Sequence, residues 1–222
     1  MSLNTLLLAS GSPRRRELMS WIGLDFDVLS VDVNEDPSRG EPPDAYVSRL
    51  AEEKARKAAK LLKKNRIVLG LDTTVADENE ILGKPSSPED AYKMLERLRS
   101  RTHHVYTALA VISDGRAGIV IELCKSRVPM RHYSHEEMVE YISSGDSLDK
   151  AGAYAIQNPD FSPVIHFEGC FANVMGLPLC HMGRILRGIG VSLKVNIARV
   201  CQANLNYTCP IYQDVLDGED VG

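Results

Sequence analysis

The sequence predicts an α/β fold built on a mixed sheet, and three observations carry that prediction. Short apolar runs alternate with helical stretches. The turns between them are brief, as strand–helix–strand units require. Ser113-Asp114-Gly115 then joins two strand-like runs as a hairpin, which makes the sheet mixed.

Taken in order, Thr5 to Ala9 reads as a short buried strand. Ser12 caps a helix with Pro13 at its first position, where a missing N–H costs nothing. That helix, residues 13–21, stops at Gly23, and a second strand over 26–31 leads into a polar, proline-containing loop over 34–43. Residues 44–65 form the longest helix expected. Asp44 opens it and Lys63-Lys64 close it, which suits the helix dipole at both ends. Its apolar stripe takes Val47, Leu50, Ala51, Ala55, Ala58, Leu61 and Leu62. Residues 66–71 (RIVLGL) are apolar on both faces, as a buried central strand should be. Ser87-Pro88, with Asp90 three residues after the serine, starts a helix to about Ser100. Residues 105–112 and 117–124 are the hairpin strands. Ser134 and Glu137 form a capping box for a helix ending near Ile142. A strand over 164–167 and a helix over 179–186 follow. After Cys201 the periodicity is lost, and residues 201–222 read as a peripheral tail ending in acidic DGED.

Composition narrows the classes of function. The 222 residues are 44% hydrophobic and 25% charged, enough for a real core in a globular protein. The net charge of −4 supplies no field for a polyanion, so nucleic acid is not expected as a partner. Five cysteines at irregular spacing suggest neither a zinc knuckle nor a disulfide framework. No stretch approaches the roughly 20 apolar residues of a membrane span. The N-terminal run is too short for a secretion signal. Asn206-Tyr207-Thr208 fits a glycosylation pattern, read here as chance. A cytoplasmic protein with reduced thiols and no membrane partner is the expectation.

Several residues sit where folding alone would not want them. Ser10-Gly11-Ser12-Pro13 ends a strand and opens a helix, which aims free N–H groups and the positive end of a dipole at one point, a ready anion site. Arg14, Arg15 and Arg16 in the first turn oppose that dipole unless an anion faces them. Three consecutive helical positions cannot all point one way, and Arg16 is the bystander. Lys54 falls on or beside the apolar stripe of the long helix, either snorkelling outward or reaching into a cleft. Asp72 follows directly on RIVLGL, with Thr73 and Thr74 behind it. A carboxylate at a strand end can cap a turn, hold a metal or take a proton from water. Lys84 sits in the rigid turn Gly83-Lys84-Pro85. His103 and His104 point to opposite faces of a strand and make no metal site.

Together these stretches resemble the Maf family of nucleoside triphosphate pyrophosphatases, of the Maf/HAM1-like type. The likeness rests on Ser10-Gly11-Ser12-Pro13-Arg14-Arg15, Leu50-Ala51-Glu52-Glu53-Lys54-Ala55, Gly70-Leu71-Asp72-Thr73, Gly83-Lys84-Pro85 and Thr102-His103-His104-Val105-Tyr106-Thr107. It continues through Asp149-Lys150-Ala151-Gly152-Ala153-Tyr154-Ala155-Ile156-Gln157 and Asn173-Val174-Met175-Gly176-Leu177-Pro178. The resemblance implies one domain over residues 1–200, an elongated mixed sheet with two lobes around a nucleotide cleft, and a homodimer. It implies cleavage of a nucleoside triphosphate between the α and β phosphates, with Mg²⁺ or Mn²⁺. Asp72, Glu35, Lys54 and Lys84 would be catalytic, and Glu35 and Asp72, with Asp149 as a further candidate, would hold the metal. Ser10, Ser12, Arg14, Arg15, Thr73, Asp149 and Gln157 would bind substrate. Arg14, Thr73 and Gln157 resemble the branch that takes dTTP and UTP, since a Gln amide can read a uracil or thymine edge. The chain departs from the family at Leu71, where Ala is usual, at Ala108, where Gly is usual, and in Ala155-Ile156-Gln157-Asn158, which replaces Gly-Ile-Gln-Gly. The competing expectation is a nucleotide-binding regulator of cell division without turnover. Such a sensor needs the cations but no base.

Overall fold

The computed structural model describes residues 5–61, 66–113, 118–219 and 221–222. Leu62, Lys63 and Lys64, the expected helix end at residue 65, the Asp114-Gly115 part of the expected turn and the first residue of the expected strand 117–124 lie outside these residues. Strand β1 (Thr5–Ala9) lies between β2 (Phe26–Val28) and β3 (Arg66–Asp77), parallel to both. A short β4 (Glu80–Leu82) folds back along the far end of β3. On its other edge β3 pairs antiparallel with β5 (Thr102–Ser113), which pairs in turn with β6 (Ile119–Pro129). The mixed α/β sheet thus has the order β2-β1-β3-β5-β6, with β4 on β3.

The core divides at the sheet because side chains alternate along each strand. Val68 and Ala76 face α2 (Pro43–Lys60), with its buried Val47, Leu50, Ala51, Ala55 and Ala58. Ile67, Leu69, Leu71 and Val75 face the other way, into a larger core shared with α1 (Pro13–Ser20), α3 (Pro88–Leu98) and α4 (His135–Ser143). The same core takes in α5 (Phe171–Val174), α6 (Leu179–Gly188), α7 (Ile197–Leu205) and α8 (Tyr212–Asp217). Gly70 fixes how closely α2 packs. A Cβ there would stand 2.2 Å from the Ala51 carbonyl oxygen and 2.5 Å from the Ala55 nitrogen, so only glycine lets the helix lie on the strand.

Ser12, Ser87 and Ser134 all cap helices as their spacing indicates, and Ser134 with Glu137 completes the capping box. Elsewhere the structure differs from the pattern. The central strand does not stop at Leu71 but runs to Asp77, because β-branched Thr73, Thr74 and Val75 extend it and β5 pairs along its length. Helix α2 ends at Lys60, which leaves Leu61 65% exposed rather than on the apolar stripe. Strand β2 closes at Val28. The expected strand over 164–167 reduces to one bridge between Met130 and Val164. Beyond Cys201, where no periodicity is legible, α7 continues to Leu205 and α8 forms, and Cys201 and Val215 are buried. These helices are too short to show a repeating stripe.

Candidate active site

Strand β1 stops at Ala9, opposite Gly70, and pairing on that side of β3 resumes only at Val75, with β4. The stretch of β3 between them borders a cleft of about 670 Å³. Asp72 therefore lies in mid-strand, opposite Ala108, and not at a strand end. The strand that ends beside it is β1, so the ligand-binding position at a carboxyl edge belongs to the neighbouring strand. Because side chains alternate, Asp72 faces α2 and Thr73 faces α1, and the cleft reaches both.

Over the open edge stands the start of α1. The Ser12 hydroxyl accepts from the Arg15 N–H at 3.5 Å, so the cap holds the turn that carries the three arginines. Their side chains diverge. Arg16 is exposed. Arg14 leans across the cleft, its Nη1 3.4 Å from Asp149 Oδ2 on the opposite wall. Arg15 is buried, and protein acceptors take most of its fork. Nε donates to the Gly176 carbonyl at 2.9 Å and Nη2 to Thr73 Oγ1 at 2.8 Å. Nη1 donates to Ser10 Oγ at 3.0 Å and to the Leu71 carbonyl at 3.1 Å. Arg15 thus ties together the loop after β1, the β3 residues flanking Asp72, and the loop after α5. Gly176 admits this contact, since its φ is +103° and a Cβ would lie 3.3 Å from Arg15 Nε. Thr73 Oγ1 also lies 2.9 Å from Thr107 Oγ1, whose hydroxyl donates to the Asn173 carbonyl.

On the α2 side, Lys54 reaches inward. Its ammonium donates at 2.7 Å both to Asp72 Oδ1 and to Glu35 Oε1. The two carboxylates feel opposite environments. Burial raises the Asp72 pKa above the ordinary carboxylate value, and the nearby charges of Lys54 and Arg15 only partly draw it back. Burial also pushes Glu35 upward, but the Lys54 hydrogen bond and the charges of Lys54, Lys84 and Arg15 together hold it below its ordinary value. Two carboxylates with pKa values driven apart are suited to different roles: the raised one is the better proton acceptor, and the lowered one stays an anion. Asp72 Oδ2 and Glu35 Oε2 accept no hydrogen bond among the described residues, so each keeps an oxygen for a ligand.

The remaining wall carries Asp149, Lys84 and Gln157, all exposed and all lining the cleft. Beneath Asp149, buried Lys150 donates to Asp149 Oδ1 at 2.6 Å and to Asp146 Oδ1 at 2.7 Å. The structure therefore brings Ser10, Ser12, Arg14, Arg15, Glu35, Lys54, Asp72, Thr73, Lys84, Asp149 and Gln157 to one cleft, although they span 148 positions from residue 10 to residue 157. Their chemistry is that of a polyanion site: cations on the rim, a helix N-terminus above, and a buried carboxylate at the base.

Residues 5–189 match the family described as Maf-like protein. The chain belongs to that family. A dTTP/UTP pyrophosphatase of Geobacter sp. (strain M21) is 44% identical over 190 residues, covering 86% of this chain and 98% of the relative. A dTTP/UTP pyrophosphatase of Myxococcus xanthus (strain DK1622) is 45% identical over 188 residues, covering 85% and 94%. Among solved structures, the Ham1 protein of Staphylococcus aureus aligns with a TM-score of 0.42 at 18% identity, over 57% of this chain and 72% of that one.

Three parts of this Maf-family site escaped sequence reasoning. Tyr46 donates its hydroxyl to the Glu35 carbonyl at 2.7 Å. Arg49 binds both oxygens of Glu41, at 2.7 and 2.8 Å. Lys150 sits under Asp149 with only 7% of its surface exposed. The first two carry a signal in the sequence: Tyr46, Arg49, Glu53 and Lys57 recur at three- and four-residue steps, forming a polar stripe beside the apolar one.

Proposed function

We propose that this chain is a nucleoside triphosphate pyrophosphatase that hydrolyses pyrimidine substrates of the dTTP and UTP type to the monophosphate and pyrophosphate. The observation that carries the reading is the buried Asp72 carboxylate, held by Lys54 at the base of a cleft with cations around its rim. The names of the curated relatives supply the substrate class. Arg14, Lys84 and the N–H groups at the start of α1 bind phosphate oxygens. To do so, Arg14 exchanges its weak contact with Asp149 for the stronger one with phosphate. Arg15 adds positive charge near these groups, but its main work is to hold Ser10 and Thr73 in place.

In this reading, Asp72 accepts a proton from the attacking water on its free Oδ2, while Lys54 fixes the carboxylate through Oδ1. Its raised pKa makes it a better base than an exposed Asp. Positioning and charge stabilisation then supply most of the rate. Gln157, with both an amide donor and an acceptor, reads the pyrimidine edge. Thr73 joins it as a specificity residue on the α1 side.

The donor set fits a hard divalent cation. Glu35 and Asp72 present two carboxylates, and no group of three or more His, Cys, Asp or Glu able to cage an ion occurs among the described residues. Mg²⁺ ordinarily takes one or two carboxylates together with substrate phosphates, and Mn²⁺ accepts similar oxygen donors. Held by Glu35 through its free oxygen and by the substrate phosphates, with Asp72 beside it keeping Oδ2 for the attacking water, such an ion would neutralise charge developing on the phosphates. The test is a panel of common and modified nucleoside triphosphates assayed for pyrophosphate release, with wild type and Asp72→Asn side by side. The reading expects dTTP and UTP to lead the panel. It also expects the variant to lose about 10²- to 10⁴-fold in kcat, the range of general-base catalysis. Equal wild-type and variant rates would remove Asp72 from its role.

A further inference from the structure

Glu35 is anchored by no element of its own. It lies in the irregular stretch between β2 and α2, with 56% of its side chain exposed. An exposed carboxylate on such a stretch samples many positions unless the backbone beneath it is fixed. The fixing comes from one stripe of α2. Tyr46 donates to the Glu35 carbonyl at 2.7 Å, and Lys57 donates to the Asp32 carbonyl. Between them Arg49 joins the two halves of the loop. Its Nη2 donates to the Asp36 carbonyl at 3.2 Å and to Glu41 Oε2 at 2.8 Å, and its Nε donates to Glu41 Oε1 at 2.7 Å. Its Nη1 reaches Glu53 at 3.4 Å. Glu41 Oε2 in turn accepts from the Ser38 N–H at 2.9 Å, which closes the intervening turn. The Arg49 guanidinium also lies 5.5 Å from the centre of the Tyr46 ring, whose hydroxyl holds Glu35. Arg49 itself does not line the cleft.

We infer that Arg49 is a positioning residue for Glu35: its fork clamps the loop on Asp36 and Glu41 and backs Tyr46, and so holds the Glu35 carboxylate against Lys54. The inference rests on Glu35 taking part in the proposed hydrolysis. A planar guanidinium is required, because its Nε and Nη2 are two separate nitrogens set side by side to match the two Glu41 oxygens while Nη2 reaches on to the Asp36 carbonyl, a fork that the single nitrogen of an ammonium does not reproduce. Arg49 must therefore act through Glu35, and removing both must cost no more than removing the more important one.

A double-mutant cycle on dTTP hydrolysis tests this, using wild type, Arg49→Ala, Glu35→Gln and the double variant, each checked by thermal unfolding. Arg49→Ala should lower kcat by about tenfold, the usual loss when a residue supporting a site ligand is removed, with KM for dTTP nearly unchanged. In the Glu35→Gln background the same change should lower kcat less than about twofold, since coupled residues are not additive. Arg49→Lys should not restore the rate. Hydrogen exchange should show the amides of residues 35–41 opening faster in Arg49→Ala, with α2 unaltered. Arg56→Ala, which breaks only an exposed pair with Glu52, should match wild type. If Arg49→Ala does not fold, Glu41→Gln replaces it in the cycle with the same expectations. An impaired Glu35→Gln combined with a wild-type or fully multiplicative Arg49→Ala overturns the inference alone. A fully active Glu35→Gln overturns the role of Glu35, and the inference falls with it.

Discussion

Replacing Lys54 with Met removes one ammonium that two carboxylates share. The two halves of that contact differ in weight. Asp72 and Lys54 have side chains only 10% and 11% exposed, whereas Glu35 is 56% exposed. The Glu35 half is screened by solvent and is worth under about 1 kcal/mol. The Asp72 half is a buried pair, and stripping one partner from such a pair costs about 3–5 kcal/mol because the remaining charge is uncompensated. Asp72 has a way to reduce that cost, which is to take up a proton. Burial already raises its pKa, and Lys54 is the largest influence opposing that rise. Without that opposite charge the Asp72 pKa rises further, so the acid limb of the rate profile should move to higher pH. Stability should follow the same titration. With a folded-state pKa above the unfolded one, the stabilising contribution of protonated Asp72 is whole below the unfolded value and is lost as pH rises through the folded value. Lys54→Met should therefore fall furthest below wild type at pH 8 and least at pH 5. Denaturant unfolding at both pH values, with pyrophosphate release measured across the range, reads both effects. A stability deficit that does not change with pH, together with an unmoved acid limb, would show that Lys54 does not control the Asp72 titration.

Gly70→Ala should cost about 1–3 kcal/mol or more through overpacking, since its Cβ would push directly on the α2 backbone at Ala51 and Ala55. Activity should fall further than stability, because Lys54 lies on the same turn; a variant of wild-type melting temperature and rate would contradict this. His103 is fully buried, with Nε2 2.8 Å from the Tyr154 hydroxyl, and burial pushes its pKa from 6.5 down to about 3. Its contribution to stability is thus present above the unfolded value and is lost as pH falls from about 6.5 toward 3, at up to about 1.4 kcal/mol per pH unit. Unfolding of His103→Gln should depend less steeply on pH in that window, and superimposable profiles would count against the burial argument.

Helix starts were the most legible part of the fold, because Ser12-Pro13, Ser87-Pro88 and Ser134 with Glu137 are local signals whose physics is complete within four residues. Lys54 was visible as a cation on an apolar stripe, but its choice between solvent and cleft depends on Asp72, 18 residues away, and on Gly70 letting the helix approach. The length of β3 was hidden for a similar reason: the pairing that extends it past Leu71 comes from β5, whose partner residues lie about 30 positions further on. Arg15 reads as a phosphate ligand from its neighbours alone. Its buried acceptors, the carbonyls of Leu71 and Gly176, are backbone groups that any sequence possesses, so nothing local announces them. The Arg49 clamp was obscured in the same way, since the Asp36 carbonyl it holds is main chain.

A cleft that places a triphosphate for cleavage between its α and β phosphates must turn dTTP into dTMP and pyrophosphate. Chromatographic identification of the products should therefore give the two in equal amounts from wild type, with their formation lost in Asp72→Asn. Release of dTDP and inorganic phosphate, or turnover unaffected by the substitution, would contradict this reading of the cleft.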